Sequence, residues 1–172
     1  YSGKLSKSES KPLPEAVCSS EHGSLQVGDT IEVHYVHSTA QVEPGPTLKS
    51  CLSENDSNPQ LRVEAQVMVL VNNAHAADFI ELAKTGQVNG YTQALKIPKN
   101  AGRPIEYAGS TTGPSYNEKG SPLQVSWSVR PKVTKVNAES VGQWCKNNVF
   151  KEDHAHGVRN LVTNESLLSK IH

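Results

Sequence analysis

Residues 30–39 read TIEVHYVHST, a run of β-branched and aromatic residues that follows the turn signal Val27-Gly28-Asp29. The pattern predicts a strand. Alternation places Glu32, His34, Val36 and Ser38 on one face and Ile31, Val33, Tyr35 and His37 on the other, so the two histidines point opposite ways. Beyond a Pro- and Gly-containing loop (42–59), LRVEAQVMVLV at 61–71 predicts a second long strand. One of its faces is wholly apolar, from Leu61 through Val63 and Ala65 to Val71. The other begins with Arg62, Glu64 and Gln66, and this polar half is expected near an edge or a cavity.

Outward from these two strands the signals are shorter. AHAADFIELAK (74–84) predicts a helix stopped by Gly86, and residues 139–147 a second. Strands are expected at 91–97, at IEYAG (105–109) and at LQVSWSVR (123–130), the last ended by Pro131. STTGPSYNEKGSP (110–122) is too rich in Ser, Thr, Gly and Pro for regular structure and is expected to be a loop that carries function. The expected fold is mostly β, a mainly antiparallel twisted sheet with a few short peripheral helices, in a single domain covering 1–172. Residues 1–16 read as a loop or extended arm.

Lys plus Arg number 17 and Asp plus Glu number 17, so no basic surplus favours a nucleic-acid partner. The longest apolar run, Val67 to Val71, is far short of the roughly 20 residues a spanning helix needs. Cys18, Cys51 and Cys145 form no C-x-x-C pair, which argues against a thiolate metal site. Cys18 and Cys51 flank the first long strand. A disulfide between them and two separate thiols are both open, and Cys145 has no assigned partner. A disulfide would place the protein outside the reducing cytosol, periplasmic or secreted.

Glu32 precedes His34 by two residues on one face. An imidazole that binds a metal through one nitrogen usually gives its other N–H to a carboxylate or carbonyl, and Glu32 is placed to accept it. A satisfied, partly buried histidine is the competing reading. Three segments in order add weight to the first. Glu32-Val33-His34-Tyr35-Val36-His37 resembles the E-L-H-L-V-H strand of alpha-type carbonic anhydrases. Tyr107 to Pro114 (YAGSTTGP) resembles their Y-x-G-S-L-T-T-P-P loop, and Val125 to Val129 (VSWSV) their V-T-W-x-V strand. The whole chain, including VEPGPTLKSCLSE, NPQLRVEAQV and DHAHGVRNL, resembles more closely the delta-class carbonic anhydrases and the carbonic anhydrase-like domain family. The threonine loop departs from the alpha pattern. It lacks the leucine before Thr-Thr and carries Gly113 where the first proline would stand.

The resemblance implies an alpha-carbonic-anhydrase-like fold, zinc as cofactor, and carbon dioxide and bicarbonate as substrate and product. It makes His34 the third zinc ligand and Glu32 the carboxylate behind it. Val63 becomes a wall of the carbon dioxide pocket. Thr111 would accept the proton of a zinc-bound hydroxide, and Thr112 would help to hold bicarbonate. The family's first two ligands form an H-x-H pair on a preceding strand. Between Tyr1 and Val33 only His22 occurs, in a Ser20-Glu21-His22 segment, so the pair is expected upstream of Tyr1 or has been lost. A rival set joins His34 to His154 and His156, themselves an H-x-H. The expected activity is reversible carbon dioxide hydration, conditional on that pair. The alternative is a catalytically inactive related domain with a binding or structural role.

Overall fold

In the computed structural model, which describes residues 1, 3–112 and 120–155, the chain begins with β1 (Val17–Ser20), β2 (Gly23–Leu25) and β3 (Thr30–Ser38). A 3-10 turn (Leu48–Cys51), β4 (Leu61–Val71) and α1 (Phe79–Leu82) follow, then β5 (Thr85–Val88) and β6 (Tyr91–Ala94). The chain continues with β7 (Ile105–Thr112), β8 (Gly120–Asn137) and α2 (Ala138–Lys146). The main sheet has the order β3-β4-β8-β7. Its two outer ladders are antiparallel, as expected, but β4 and β8 run parallel, so the sheet is mixed. This fits the composition of β4, whose apolar residues fall on both faces, as in strands covered on both sides.

Several boundaries differ from the sequence reading, each for a local reason. The helix expected at 74–84 shrinks to Phe79–Leu82. Asp78 caps it by accepting the Ile80 N–H at 2.9 Å. Ala77 is meanwhile drawn into a bridge with β8, donating to the Lys135 carbonyl and accepting from the Asn137 N–H. Pro131 does not end its strand. Register passes from Gln66↔Arg130 to Met68↔Thr134, so residues 131–133 oppose Val67 alone. Pro131 therefore sits in a bulge, where no ladder donor is required. The expected loop at 110–122 is shorter, because Ser110–Thr112 close β7 and 120–122 open β8. Residues 113–119 lie outside the described residues.

The cysteine pairing is also corrected. Cys18 is bonded to Cys145, with Cα atoms 5.4 Å apart, and Cys51 is a free, half-buried thiol whose pKa burial pushes up. Cys18 lies on the short strand β1. There it packs with Met68, Leu70, Phe79, Val136 and Val141 between the sheet and the helices. Cys51 belongs to a separate cluster, against Leu61, Val63, Leu123 and Val125. Residues 1–16 carry no strand or helix among those described, yet they are held down. Glu9 accepts from the Asn72 N–H through its carbonyl and from Lys135 Nζ through Oε1 at 2.8 Å, and Leu13 packs on the first cluster.

Candidate functional site

Cross-strand register builds the site. His34 of β3 stands opposite Ala65 of β4, which stands opposite Val129 of β8. The adjacent row on the same face is Val36, Val63, Trp127 and Tyr107. The face therefore carries one imidazole on a floor of Ala65 and Val63, which are 0% and 3% exposed. The indole of Trp127 meets the His34 ring edge-on at 5.3 Å and stacks on Tyr107 at 6.1 Å.

Glu32 and His34 share this face as expected. Glu32 Oε1 is 3.3 Å from His34 Nε2, and that contact holds the Glu32 carboxyl below its usual pKa. Engagement of Nε2 by a carboxylate favours the tautomer that leaves Nδ1 with its lone pair. The imidazole is 41% exposed. β3 is also an outer strand of the sheet, with no strand on its far side among the described residues. His34 thus stands half-exposed on an outer strand.

Thr111 and Thr112 close β7, and Thr112 stands opposite Gly120. Nothing of their side chains belongs to the described residues. Their backbones lie six and seven positions along β7 from Ile105, which shares the row of His34, or roughly 20 Å at the rise of a strand. The ladder as it stands does not bring the threonine pair beside His34. His156, in the rival ligand set, lies outside the described residues. The His154 ring packs against His22, with ring centroids 4.5 Å apart and planes tilted by 36°.

The opposite face is polar and was only partly legible. Glu64 accepts from Arg130 Nε at 2.8 Å and from Gln66 Nε2 at 2.9 Å, beneath the 98–102 segment, whose Pro98 and Gly102 carbonyls accept from Gln66 and Arg130. The polar half of β4 is therefore in a central strand, not at an edge; Glu64 and Gln66 are covered, and Arg62 borders a cleft. Around it, Tyr35 Oη, His37 Nδ1 and Gln66 Oε1 are buried without a partner. Burial and the facing Arg62 cation push the His37 imidazole down, away from protonation. An open cleft of about 390 Å³ is lined mostly by residues of this face, Arg62, Glu106, Ser126 and Ser128 among them, and not by His34. Trp127 as the neighbour of His34 was missed, because alternation within one strand says nothing about register between strands.

The structure is a β domain whose main sheet presents a carboxylate-backed imidazole beside the indole of Trp127. The chain belongs to the delta carbonic anhydrase family, whose model matches residues 1–140. Comparison with curated proteins and with solved structures gave no match. The donor chemistry at His34 suits zinc as one arm of an imidazole site. Among the described residues, no group of three His, Cys, Asp or Glu side chains converges to hold an ion, so these residues alone do not complete a coordination sphere.

Proposed function

We propose that this chain serves the reversible hydration of carbon dioxide to bicarbonate, with zinc held in part by His34 Nδ1. The observation that carries the reading is the Glu32–His34 couple on the Val63–Trp127 face of a chain in this family. Two further imidazoles are assigned to a strand added along the outer edge of β3. A strand there would place a residue about 4.5–5.5 Å from His34 and its i+2 neighbour on the same face, which is what an H-x-H pair needs.

A zinc ion held by His34 and two further imidazoles would activate water at neutral pH by lowering its pKa to about 7. The chain's own residues do the rest. Glu32 fixes the ring orientation and tautomer of His34. Trp127, with Val63 buried behind it, would supply a dry wall for an apolar, linear substrate. Thr111 and Thr112 enter as proton acceptor and bicarbonate holder, which requires the end of β7 to bend over the Trp127 face. The disulfide supports an extracytoplasmic setting. No helix among the described residues is long and apolar enough to cross a membrane.

The test is metal analysis combined with a carbon dioxide hydration assay. Wild type should hold zinc and hydrate carbon dioxide, and His34→Ala should lose both. Glu32→Gln should weaken zinc binding by about 10–100-fold while the fold is kept. Retention of zinc and activity by His34→Ala would overturn the assignment. A wild-type chain without zinc or activity would instead favour the inactive related domain.

A further inference from the structure

The face of the sheet opposite His34 carries charged groups that the proposed activity does not use. Register sets Arg62, Ser126 and Ala108 in one row across β4, β8 and β7, and Glu64, Ser128 and Glu106 in the next. We propose that the cleft of about 390 Å³ on this face binds a small zwitterion of the α-amino-acid class, with the ligand carboxylate on Arg62 and its ammonium on Glu106.

Both charged groups are available. The Arg62 side chain is 51% exposed, and its one ion-pair contact among the described residues, with Glu64 Oε2, spans 3.7 Å, too far for a hydrogen bond. Glu64 is held instead by Arg130 Nε at 2.8 Å and Gln66 Nε2 at 2.9 Å. Glu106 is exposed and forms no ion pair among the described residues. An open guanidinium fork suits a carboxylate. Glu106 repels a simple anion at this place and Arg62 repels a simple cation, whereas a molecule that carries both charges meets neither repulsion. The two residues stand two strands and one row apart, so their Cα atoms are separated by roughly 12 Å at the spacings of a sheet. Their heads rise from the same face and leave room between them for a ligand whose own charges lie a few ångströms apart.

Ser128 is a separate sign of a ligand. It is only 6% exposed and lines the cleft, yet its hydroxyl has no hydrogen-bond partner among the described residues. A hydroxyl so enclosed costs free energy unless something bonds it, and a carboxylate held by Arg62, its diagonal neighbour across the ladder, can accept from it. Ser126 adds a second hydroxyl to the lining, and the small Ala108 opposite it keeps the middle of the row low. Because the cleft is open to solvent, charge pattern rather than enclosure selects the ligand, and Kd should lie in the millimolar range.

The experiment is titration of the full chain with glycine, followed through the backbone amide signals of Ala108, Ser126 and Ser128 by NMR. Glycine should shift these signals together, and acetate and methylammonium, which carry one charge each, should bind about tenfold more weakly or worse. Arg62→Gln and Glu106→Gln should each weaken glycine binding about tenfold or more, since each removes one charged partner. Both side chains reach solvent, and far-UV circular dichroism checks that the fold is kept. His34→Ala should bind glycine as the wild type does, which separates this cleft from any metal at His34. The proposal is overturned if glycine shifts none of the three amides, if acetate or methylammonium binds as tightly as glycine, or if either Gln variant binds glycine like the wild type. Glycine binding that disappears in His34→Ala would also overturn it, by assigning the ligand to a metal held there. A wild-type chain without zinc or hydration activity leaves this result unaffected, because the titration reads neither.

Discussion

Reduction of the Cys18–Cys145 disulfide should be the largest single loss of stability available without altering a side chain. The bond joins residues 127 positions apart. Cross-linking over that span removes about 16–17 cal/mol/K of loop entropy from the unfolded chain, or about 5 kcal/mol at 25 °C. With a urea m-value of about 2 kcal/mol/M, reduction should lower the midpoint by roughly 2.5 M. The readout is urea unfolding with and without reductant, followed by the fluorescence of Trp144, which meets the Phe79 ring edge-on in the core that the disulfide closes. Thiol titration in denaturant should find one reactive thiol, Cys51, before reduction and three after. Equal midpoints in the two states would refute the reasoning about the denatured chain. A peptide map that linked Cys18 to Cys51 would refute the pairing itself.

Glu64→Ala should destabilise the fold by about 3 kcal/mol, since it leaves the part-buried Arg130 guanidinium without its carboxylate, and a double-mutant cycle with Arg130→Ala should show strong coupling. Glu9 is held at a pKa of about 2, against 4.5 ordinarily, first by its bond to Lys135 and then by the Ser6 N–H. A depressed carboxyl stabilises the fold above the unfolded pKa and loses that effect as pH falls through the folded one. The stability difference between wild type and Glu9→Gln should therefore be full above pH 4.5 and fade toward pH 2, as measured by denaturant midpoints along an acid series.

The long strands were legible because their alternation runs for nine and eleven residues, enough for a face to declare itself. The Glu32–His34 couple was legible for the same reason, since a two-residue spacing fixes a shared face. What lay beyond the sequence was everything set between elements. The edge-on contact of Trp127 with His34 depends on the register of β3 and β8 across β4. The true partner of Cys18 could not be read from spacing, because connectivity among three cysteines is not encoded locally. α1 fell short because Ala77, a good helix former, was claimed by a tertiary bridge to β8. Burial of Glu64 and Gln66 in a central strand went against their ordinary exposure, and only the facing Arg130 and the 98–102 carbonyls make it tolerable.

The parallel pairing at the centre of the sheet also governs the order of assembly during synthesis. Leu61 docks on Val125, so 125 − 61 = 64 further residues must leave the ribosome before the second flank of β4 finds its mate. Until then the nascent polypeptide carries a half-zipped hairpin of β3 and β4, with an unpaired backbone edge and apolar side chains available to neighbouring chains. Such a delay favours slow maturation and reliance on a holding chaperone, and it makes deletions in β8 more prone to aggregation than equal deletions in β5 or β6.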